Sequence, residues 1–227
     1  DQETNIEKGL PKKVSNIFHI YEVYSGQFTK IFMANVTATL LLLEWAKKID
    51  AKKFILLSSG EVYGYGDKIN ENAPFNPRSF YATTKFHAET LTRYYNRNFE
   101  IKILRLFFPY GKNLQQGYIY NLIESLKESG IIETDYGTIT PTLIDDIIEP
   151  LIKFRDSSGT TIYNLCGSSV PLNQLIKDIE ANTGRVVKKL NIGKSTLCGD
   201  CSRAKSELGY KETPLKDGIL TLINTQK

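Results

Sequence analysis

The chain has 227 residues, of which 41% are hydrophobic and 11% aromatic, enough to bury a substantial core. Its 29 basic and 25 acidic residues give a formal charge of +4 and are spread along the sequence. Because no clustered basic stripe is present, we predict that nucleic acid is not a partner. The three cysteines lack the spacing of a disulfide framework, which favours a reducing compartment and predicts a cytoplasmic protein.

The most apolar stretch of the sequence covers residues 38–46. It is interrupted by Glu44 and followed by Lys47 and Lys48, so it is far too short to cross a bilayer. Residues 1–5 have neither the basic nor the apolar character of a signal peptide. We therefore predict no membrane association and no secretion.

Apolar runs and helically spaced segments alternate from the first strand onwards. The predicted strands are residues 14–20, 54–57, 101–107 and 161–165, and the predicted helices are residues 30–49, 81–97, 118–128 and 143–154. This order requires crossover connections, and it predicts an α/β fold with a mostly parallel, doubly wound sheet. Active sites of such sheets lie at the carboxyl ends of the strands, where Ser59 falls.

The sequence after residue 170 predicts a smaller added lobe. It contains a helix from 171 to 183, a short strand near 186–190, and short helices near 202–208 and 215–223. No long linker separates these elements from the rest, so we expect the lobe to pack against the sheet.

Tyr81 and Lys85 lie four residues apart in a predicted helix, so their side chains project from one face. A neighbouring ammonium favours the phenolate, which would lower the pKa of Tyr81 and make it a base. Ser59 could hold a substrate oxygen and share a hydrogen bond with the tyrosine. By itself, however, this spacing also arises by chance in many helices.

Several further segments accompany these residues in a defined order. They are FILLSSGEVYG at 54–64, YATTK at 81–85 with Glu89, RLFFPYG at 105–111, and shorter matches at 17–19, 35–39, 143–146, 163–165, 200–204 and 208–210. Together they resemble the extended short-chain dehydrogenase/reductases, specifically the NAD-dependent nucleotide-sugar epimerase/dehydratase family. The resemblance implies a Rossmann-like sheet domain over 1–111 with 140–169 returning to it, and a C-terminal substrate lobe over 112–139 and 170–227.

The resemblance also implies a role for each matching residue. Tyr81 would be the catalytic base, Lys85 would also hold the nicotinamide ribose of NAD, and Ser59 would bind the reacting sugar hydroxyl. Asn35 would touch the cofactor, and the nucleotide-sugar substrate would lie between the sheet domain and the lobe. As in relatives, helix 32–45 and the Tyr81 helix are expected to form a homodimer interface, although an ordinary core face would give the same apolar pattern.

Two departures from the family bear on the type of reaction. Dehydratases of the family carry an Asp-Glu pair where this chain has Gly60 and Glu61, and glycine cannot protonate a leaving hydroxyl. We therefore expect 4-epimerisation through a transient 4-keto sugar. Glu61, as a further catalytic residue, keeps dehydration or decarboxylation open, although it could also be a solvated loop carboxylate. Phe108 replaces an asparagine expected to contact substrate.

A third departure concerns the cofactor site. The family begins with a strand, a glycine-rich turn and a helix that carry the cofactor pyrophosphate, and by alignment Asp1 lies roughly 50 to 60 residues beyond that start. Gly64 and Gly66 are not at a strand-helix turn and do not replace it. We expect either a fragment of a longer enzyme or a naturally shortened protein. A shortened protein would either depend on a partner or lack activity and act as a binding or interaction protein.

Possible metal ligands form no convincing set. Cys198 and Cys201 are a single pair at metal-like spacing, and His19 and His87 lie far away in the sequence. We predict no metal site, and we expect His19 to be a packed or hydrogen-bonded residue.

Overall fold

The computed structural model describes residues 9–159 and 161–224. The strands are β1 (Asn16–His19), β2 (Lys53–Ser59), β3 (Gly66–Ile69), β4 (Glu100–Leu106), β5 (Pro109–Tyr110), β6 (Ile131–Ile139), β7 (Thr142–Leu143), β8 (Thr161–Leu165), β9 (Val170–Pro171) and β10 (Lys189–Gly199). The helices are α1 (Phe28–Phe32, a π-helical stretch Met33–Thr37, and Ala38–Lys48), α2 (Phe80–Tyr94), α3 (Tyr118–Glu128), α4 (Ile148–Asp156), α5 (Leu172–Thr183), α6 (Ser202–Leu208) and α7 (Leu215–Asn224).

The main sheet has four parallel strands in the order β1-β2-β4-β8. In its centre, Phe54 of β2 pairs with Ile17 on one side and Ile101 on the other. Both central strands are mostly apolar and buried on two faces, as expected for a parallel sheet covered by helices, although β4 also buries Lys102 and Arg105. The predicted α/β class and Rossmann-like parallel sheet are confirmed.

The helix after β1 departs from a regular α-helix in its middle. The sequence predicts one continuous helix over residues 30–49, whereas the structure has a π-helical stretch, Met33–Thr37, between two α-helical parts. Such stretches cost regular hydrogen bonding and frequently mark functional positions. Asn35 lies within this one and is buried.

A second four-stranded sheet, in the order β3-β10-β6-β9, builds the smaller lobe. The prediction placed a strand only near residues 186–190 and missed β6, which has nine residues and runs parallel to β10. Both strands are rich in Thr, Gly and charged residues and have long half-exposed stretches, so they lack the apolar alternation that identifies a strand.

The smaller lobe packs directly against the main sheet. Phe107, just after β4, is inserted between Gly60 and Gly199, where an added Cβ would approach its ring to 2.5 and 2.8 Å. Asn164 of β8 donates to the backbone oxygen of Ile69 in β3 at 2.9 Å. One apolar cluster therefore runs through both sheets. In the described part of the chain, no helix combines the length and apolar character needed to cross a membrane.

Candidate active site

The end of β2 places Ser59 at the carboxyl edge of the main sheet. Ser59 is followed by a single 3-10 turn, Gly60–Tyr63, and its hydroxyl caps that turn by accepting the backbone N–H of Glu61 at 3.1 Å. Gly64 ends the turn with a φ of +74°, and an added Cβ there would lie 2.3 Å from the backbone oxygen of Asn76. A glycine is therefore required where the chain leaves the edge.

Helix α2 presents three polar side chains to the sheet at four-residue intervals. Tyr81, Lys85 and Glu89 are all buried, as expected for one face of a helix. The ammonium of Lys85 donates to the backbone oxygen of Leu57 at 2.6 Å, which fixes it at the end of β2. The structure thus brings Tyr81 and Lys85 to the same strand end as Ser59.

A carboxylate that the sequence analysis did not single out lies on this pair. The Tyr81 hydroxyl donates to Oε2 of Glu22 at 2.9 Å, and Nζ of Lys85 lies 2.8 Å from the same oxygen. Glu22 comes three residues after β1, which neighbours β2 in the sheet. Because the carboxyl ends of parallel strands lie at one edge of the sheet, the position of Glu22 just after β1 is the sequence signal that could have identified it as a site residue.

The electrostatics of Tyr81 are opposite to the expectation from its spacing with Lys85. Burial, followed by the negative charges of Glu22 and Glu61, raises the pKa of Tyr81 well above its usual value. The ammonium of Lys85 is already paired with Glu22, so its effect on the phenol is offset. With Glu22 in this position the phenol stays protonated, and the predicted lowering of its pKa is wrong for this arrangement.

Glu61 is half-buried and hydrogen-bonded rather than a freely solvated loop carboxylate. Burial raises its pKa to about 7, although hydrogen bonds from Tyr24 and Ser79 act in the opposite direction. A carboxyl group that titrates near neutrality can both donate and accept a proton. Glu61 is therefore chemically suited to acid or base chemistry.

The side chain of Asn35 makes three hydrogen bonds within the protein. Its Oδ1 accepts the backbone N–H of Val23 at 2.9 Å, and its Nδ2 donates to the Val23 oxygen and to Thr84, each at 3.0 Å. His19 is buried, and its Nε2 lies 2.8 Å from the hydroxyl of Thr39, in agreement with the expected packed histidine. Burial, reinforced by the charge of Lys85, lowers the pKa of His19 to about 4.

A cavity of about 280 Å³ opens beside Glu61 between the main sheet and the smaller lobe. It is lined by Tyr24, Glu61, Gly64, Tyr65, Arg78, Ser79, Thr134, Asp135 and Tyr136. Behind Tyr136, the rings of Phe108, Tyr118 and Tyr136 pack edge to face, with centroids 5.0 to 5.2 Å apart. Phe108 adopts a φ of +44°, unusual for a bulky residue. An aromatic cluster therefore lies where the family resemblance placed an asparagine.

Cys198 and Cys201 have separate partners. The thiol of Cys198 contacts the Ser169 hydroxyl at 3.4 Å, whereas the thiol of Cys201 contacts the backbone oxygen of Cys166 at 3.2 Å. Among residues 9–159 and 161–224, no group of three or more His, Cys, Asp or Glu side chains has a geometry that could hold a metal ion.

The fold and the site at the carboxyl edge of the main sheet together define the class of protein. The chain belongs to the NAD dependent epimerase/dehydratase family, whose sequence model matches residues 8–142. This membership confirms the resemblance inferred from the motifs.

Individual relatives are similar to this chain at low sequence identity. UDP-glucose 4-epimerase of Bacillus subtilis is 25% identical in an alignment that covers 80% of this chain and 64% of the relative. UDP-glucuronate 4-epimerase 4 of Arabidopsis thaliana is 28% identical in an alignment that covers 79% of this chain and 49% of the relative. The chain thus spans about half to two thirds of the length of these two relatives.

Solved structures show the same architecture. The UDP-glucuronic acid 4-epimerase from Bacillus cereus in complex with NAD superposes with a TM-score of 0.81 at 26% identity, covering 99% of this chain and 76% of that one. MoeE5 in complex with UDP-glucuronic acid and NAD gives a TM-score of 0.83 at 24% identity, covering 96% and 83%. The second likeness concerns the fold alone.

Proposed function

We propose that the chain takes part in the NAD-dependent modification of a nucleotide sugar through a transient 4-keto form, with 4-epimerisation as the leading reaction. The observation that carries this proposal is the buried Tyr81–Lys85 pair, which lies at the same strand end as Ser59 at the carboxyl edge of a parallel sheet. Two relatives that match about four fifths of this chain are named as 4-epimerases of UDP sugars. Gly60, which has no acidic side chain, supports epimerisation over 4,6-dehydration.

The donor set at the strand edge suits a nicotinamide ribose. The Tyr81 hydroxyl and the Lys85 ammonium are adjacent, buried donors that already share one oxygen atom, the Oε2 of Glu22. Hydroxyl oxygens of a ribose could take the place of that carboxylate, and we propose that Tyr81, Lys85 and Asn35 face the cofactor. Bound NAD would supply the hydride acceptor and, afterwards, the hydride donor.

The protein side chains would then handle the proton and the position of the sugar. Tyr81 would accept the proton of the sugar hydroxyl at its phenolic oxygen and return it after the keto sugar has rotated in the site. Lys85 would favour the phenolate by its positive charge, and Ser59 would hold the reacting oxygen. The cavity beside Glu61 lies between sheet and lobe, where we propose that the nucleotide sugar binds.

A dehydratase or decarboxylase is the second candidate. Glu61 favours it, because burial brings the pKa of this carboxyl to about 7 and so allows acid and base roles near neutral pH. The dTDP-D-glucose 4,6-dehydratase of Dictyostelium discoideum is 29% identical over 160 residues, covering 61% of this chain and 37% of the relative. Loss of water or carbon dioxide, instead of inversion, would identify this reaction.

A non-catalytic binding protein is the third candidate. Glu22 supports it, since its carboxylate engages both polar groups that the reaction needs. In that case NAD and nucleotide sugars would give no product under any condition.

The deciding experiment is an assay with NAD and a panel of UDP-hexoses and UDP-uronic acids, with products identified by NMR. We expect inversion at C4 and a loss of about 100-fold or more in kcat for Tyr81→Phe, because the proton acceptor is removed. Tyr94→Phe is the matched control, as Tyr94 is on the same helix and 78% exposed. Absence of product across the panel, or equal activity of the two variants, would contradict the proposal.

We also propose that two copies of the chain associate through α1 and α2. Phe32, Met33 and Leu40 of α1 are 44%, 53% and 38% exposed, which leaves large apolar side chains in water on one side of the helix. A cytoplasmic location stays a prediction from the cysteines, which are free and buried at positions 166, 198 and 201.

A further inference from the structure

The segment of residues 20–27, here termed the strap, crosses the carboxyl edge of the main sheet between β1 and α1. It has neither helical nor strand structure. Its backbone is held by the side-chain amides of Asn35 and Gln116. Asn35 exchanges two hydrogen bonds with the backbone of Val23. Gln116 donates to the backbone oxygen of Glu22 at 2.9 Å and accepts the backbone N–H of Tyr24 at 3.2 Å. The strap is therefore fastened by a few specific contacts rather than by a strand ladder.

The side chain of Glu22 reaches inward from the strap. It is 23% exposed, whereas the side chain of Lys85 beneath it is 4% exposed. A single carboxylate oxygen receives both the Tyr81 hydroxyl and the Lys85 ammonium, at 2.9 and 2.8 Å. The two donors thus define a site for one anionic or hydroxyl oxygen, and the chain fills that site itself.

We propose that Glu22 is a built-in carboxylate plug, which occupies the oxygen site of the Tyr81–Lys85 pair and has to withdraw with the strap before Tyr81 can act on a substrate hydroxyl. The inference rests on the proposed function, in which Tyr81 is the base. It makes the strap a regulatory element of the same site, because opening it exposes both donors at once.

The charges around Tyr81 agree with this role. Glu22 and Tyr24 face it from the strap, Glu61 from the turn after β2, and Lys85 from its own helix. His19 of β1 is close enough to Lys85 and Glu22 for both charges to affect its pKa, and it is predominantly neutral near pH 7. Withdrawal of Glu22 would leave the Lys85 charge uncompensated beside the phenol, which favours the phenolate.

Tyr24 couples the strap to the second acidic group. Its ring packs on that of Tyr81 with centroids 4.6 Å apart, and its hydroxyl is hydrogen-bonded to Glu61. Movement of the strap would therefore uncover Glu61 together with Tyr81, so both groups would become available in one step.

The first test measures the ionisation of Tyr81 directly and needs no turnover. In protein labelled with ¹³C at tyrosine Cζ, the Tyr81 signal is assigned by its loss in Tyr81→Phe and followed against pH. We expect Glu22→Ala and Glu22→Gln to lower the pKa of Tyr81 by roughly 1 to 3 units. Added formate should raise it again in Glu22→Ala, because the small carboxylate fits the emptied site. Glu128→Gln, at an exposed position on α3, is the control.

The second test asks whether the plug limits activity. Glu22→Ala should raise kcat/KM at neutral pH by about tenfold for each unit by which the pKa of Tyr81 falls. Gln116→Ala removes two hydrogen bonds that hold the strap and should also raise kcat/KM at neutral pH. An unchanged Tyr81 pKa, or a lowered pKa without faster turnover in an active protein, would overturn the inference. If the pKa falls but wild type and variants all lack activity, the plug is supported and the proposed function fails.

Discussion

Two carboxylates, Glu22 and Glu61, act on the phenol of Tyr81 from different elements, and both raise its pKa. Glu22 also pairs with Lys85, whereas Glu61 is hydrogen-bonded to Tyr24 and Ser79. The protonation state of a tyrosine therefore depends on neighbours that are distant in sequence, as much as on the lysine four residues away. A tyrosine and a lysine at this spacing do not by themselves identify Tyr81 as the catalytic base.

Glu61 should make the stability of the protein depend on pH. Its pKa is raised from 4.5 to about 7 in the folded protein, mainly by burial. Its contribution is therefore fully present below about pH 4.5 and is lost as the pH rises through about 7. We expect Glu61→Gln to increase the free energy of unfolding at pH 8 by about 1 to 3 kcal/mol and to change little at pH 4.

Urea titrations at the two pH values measure this difference, with Glu128→Gln as the control at an exposed position. A stability difference that is the same at pH 4 and pH 8 would show that Glu61 keeps an ordinary pKa.

At the scale of elements, α2 is fixed to the sheet by the side chains that flank its catalytic candidates. Glu89, one turn beyond Lys85, accepts a hydrogen bond from the Ser58 hydroxyl at 2.6 Å. It also accepts two hydrogen bonds, of 2.7 and 2.9 Å, from the guanidinium of Arg105 in β4. Arg105 in turn donates to Tyr63. A buried, bidentate pair of this kind restricts how the helix can slide or rotate, which sets the position of Tyr81.

Loss of this pair should destabilise the fold strongly. Glu89 and Arg105 are each 1% exposed, so Glu89→Gln leaves a buried, uncompensated guanidinium. We expect the free energy of unfolding at pH 7 to fall by about 3 to 5 kcal/mol, as measured by urea titration. A loss below about 1 kcal/mol would contradict the assigned role.

The same pair predicts sensitivity to acid. Burial acts to raise the pKa of Glu89, but the hydrogen bonds and charge of Arg105 outweigh it and lower the pKa. The stabilisation is therefore present above the unfolded-state pKa of 4.5 and is lost as the pH falls through the lower folded-state pKa. The wild-type protein should lose this contribution below about pH 4, whereas Glu89→Gln should lack that part of the transition.

At the scale of the whole molecule, the candidate substrate cavity exists because two sheets meet. Its wall combines the turn after β2 with Thr134, Asp135 and Tyr136 of β6, which belongs to the smaller lobe. The contact between the lobes is close, since Phe107 fits between Gly60 and Gly199 without room for a Cβ on either. The wall of this cavity is therefore shared between segments about 75 residues apart in the chain.

The exposed apolar side chains of α1 predict self-association. We expect light scattering at micromolar concentration to give the mass of a dimer, and Leu40→Glu to shift it to the monomer, because a charge is costly in an apolar interface. Ile152→Glu is the control, as Ile152 is 47% exposed on α4. A monomeric wild type, or equal dissociation of both variants, would contradict an interface through α1.

Features with local causes were predictable from the amino-acid sequence. Helix α3, strand β8 and helix α6 have the predicted bounds, because apolar periodicity and flanking residues define them within a few positions. The pairing of Tyr81 and Lys85 on one face follows from helix geometry. The arrival of Ser59 at the same strand edge follows from the parallel order of strands and helices.

The other features depend on contacts between segments that are distant in the sequence. Strands β6 and β10 acquire their structure from pairing with each other across more than 50 residues, and their own sequences lack the apolar alternation of a strand. Glu22 becomes part of the site because the strap returns over α2, held by Asn35 and Gln116. Such contacts depend on distances between segments, which no local pattern encodes, and here they reverse the expected effect on Tyr81.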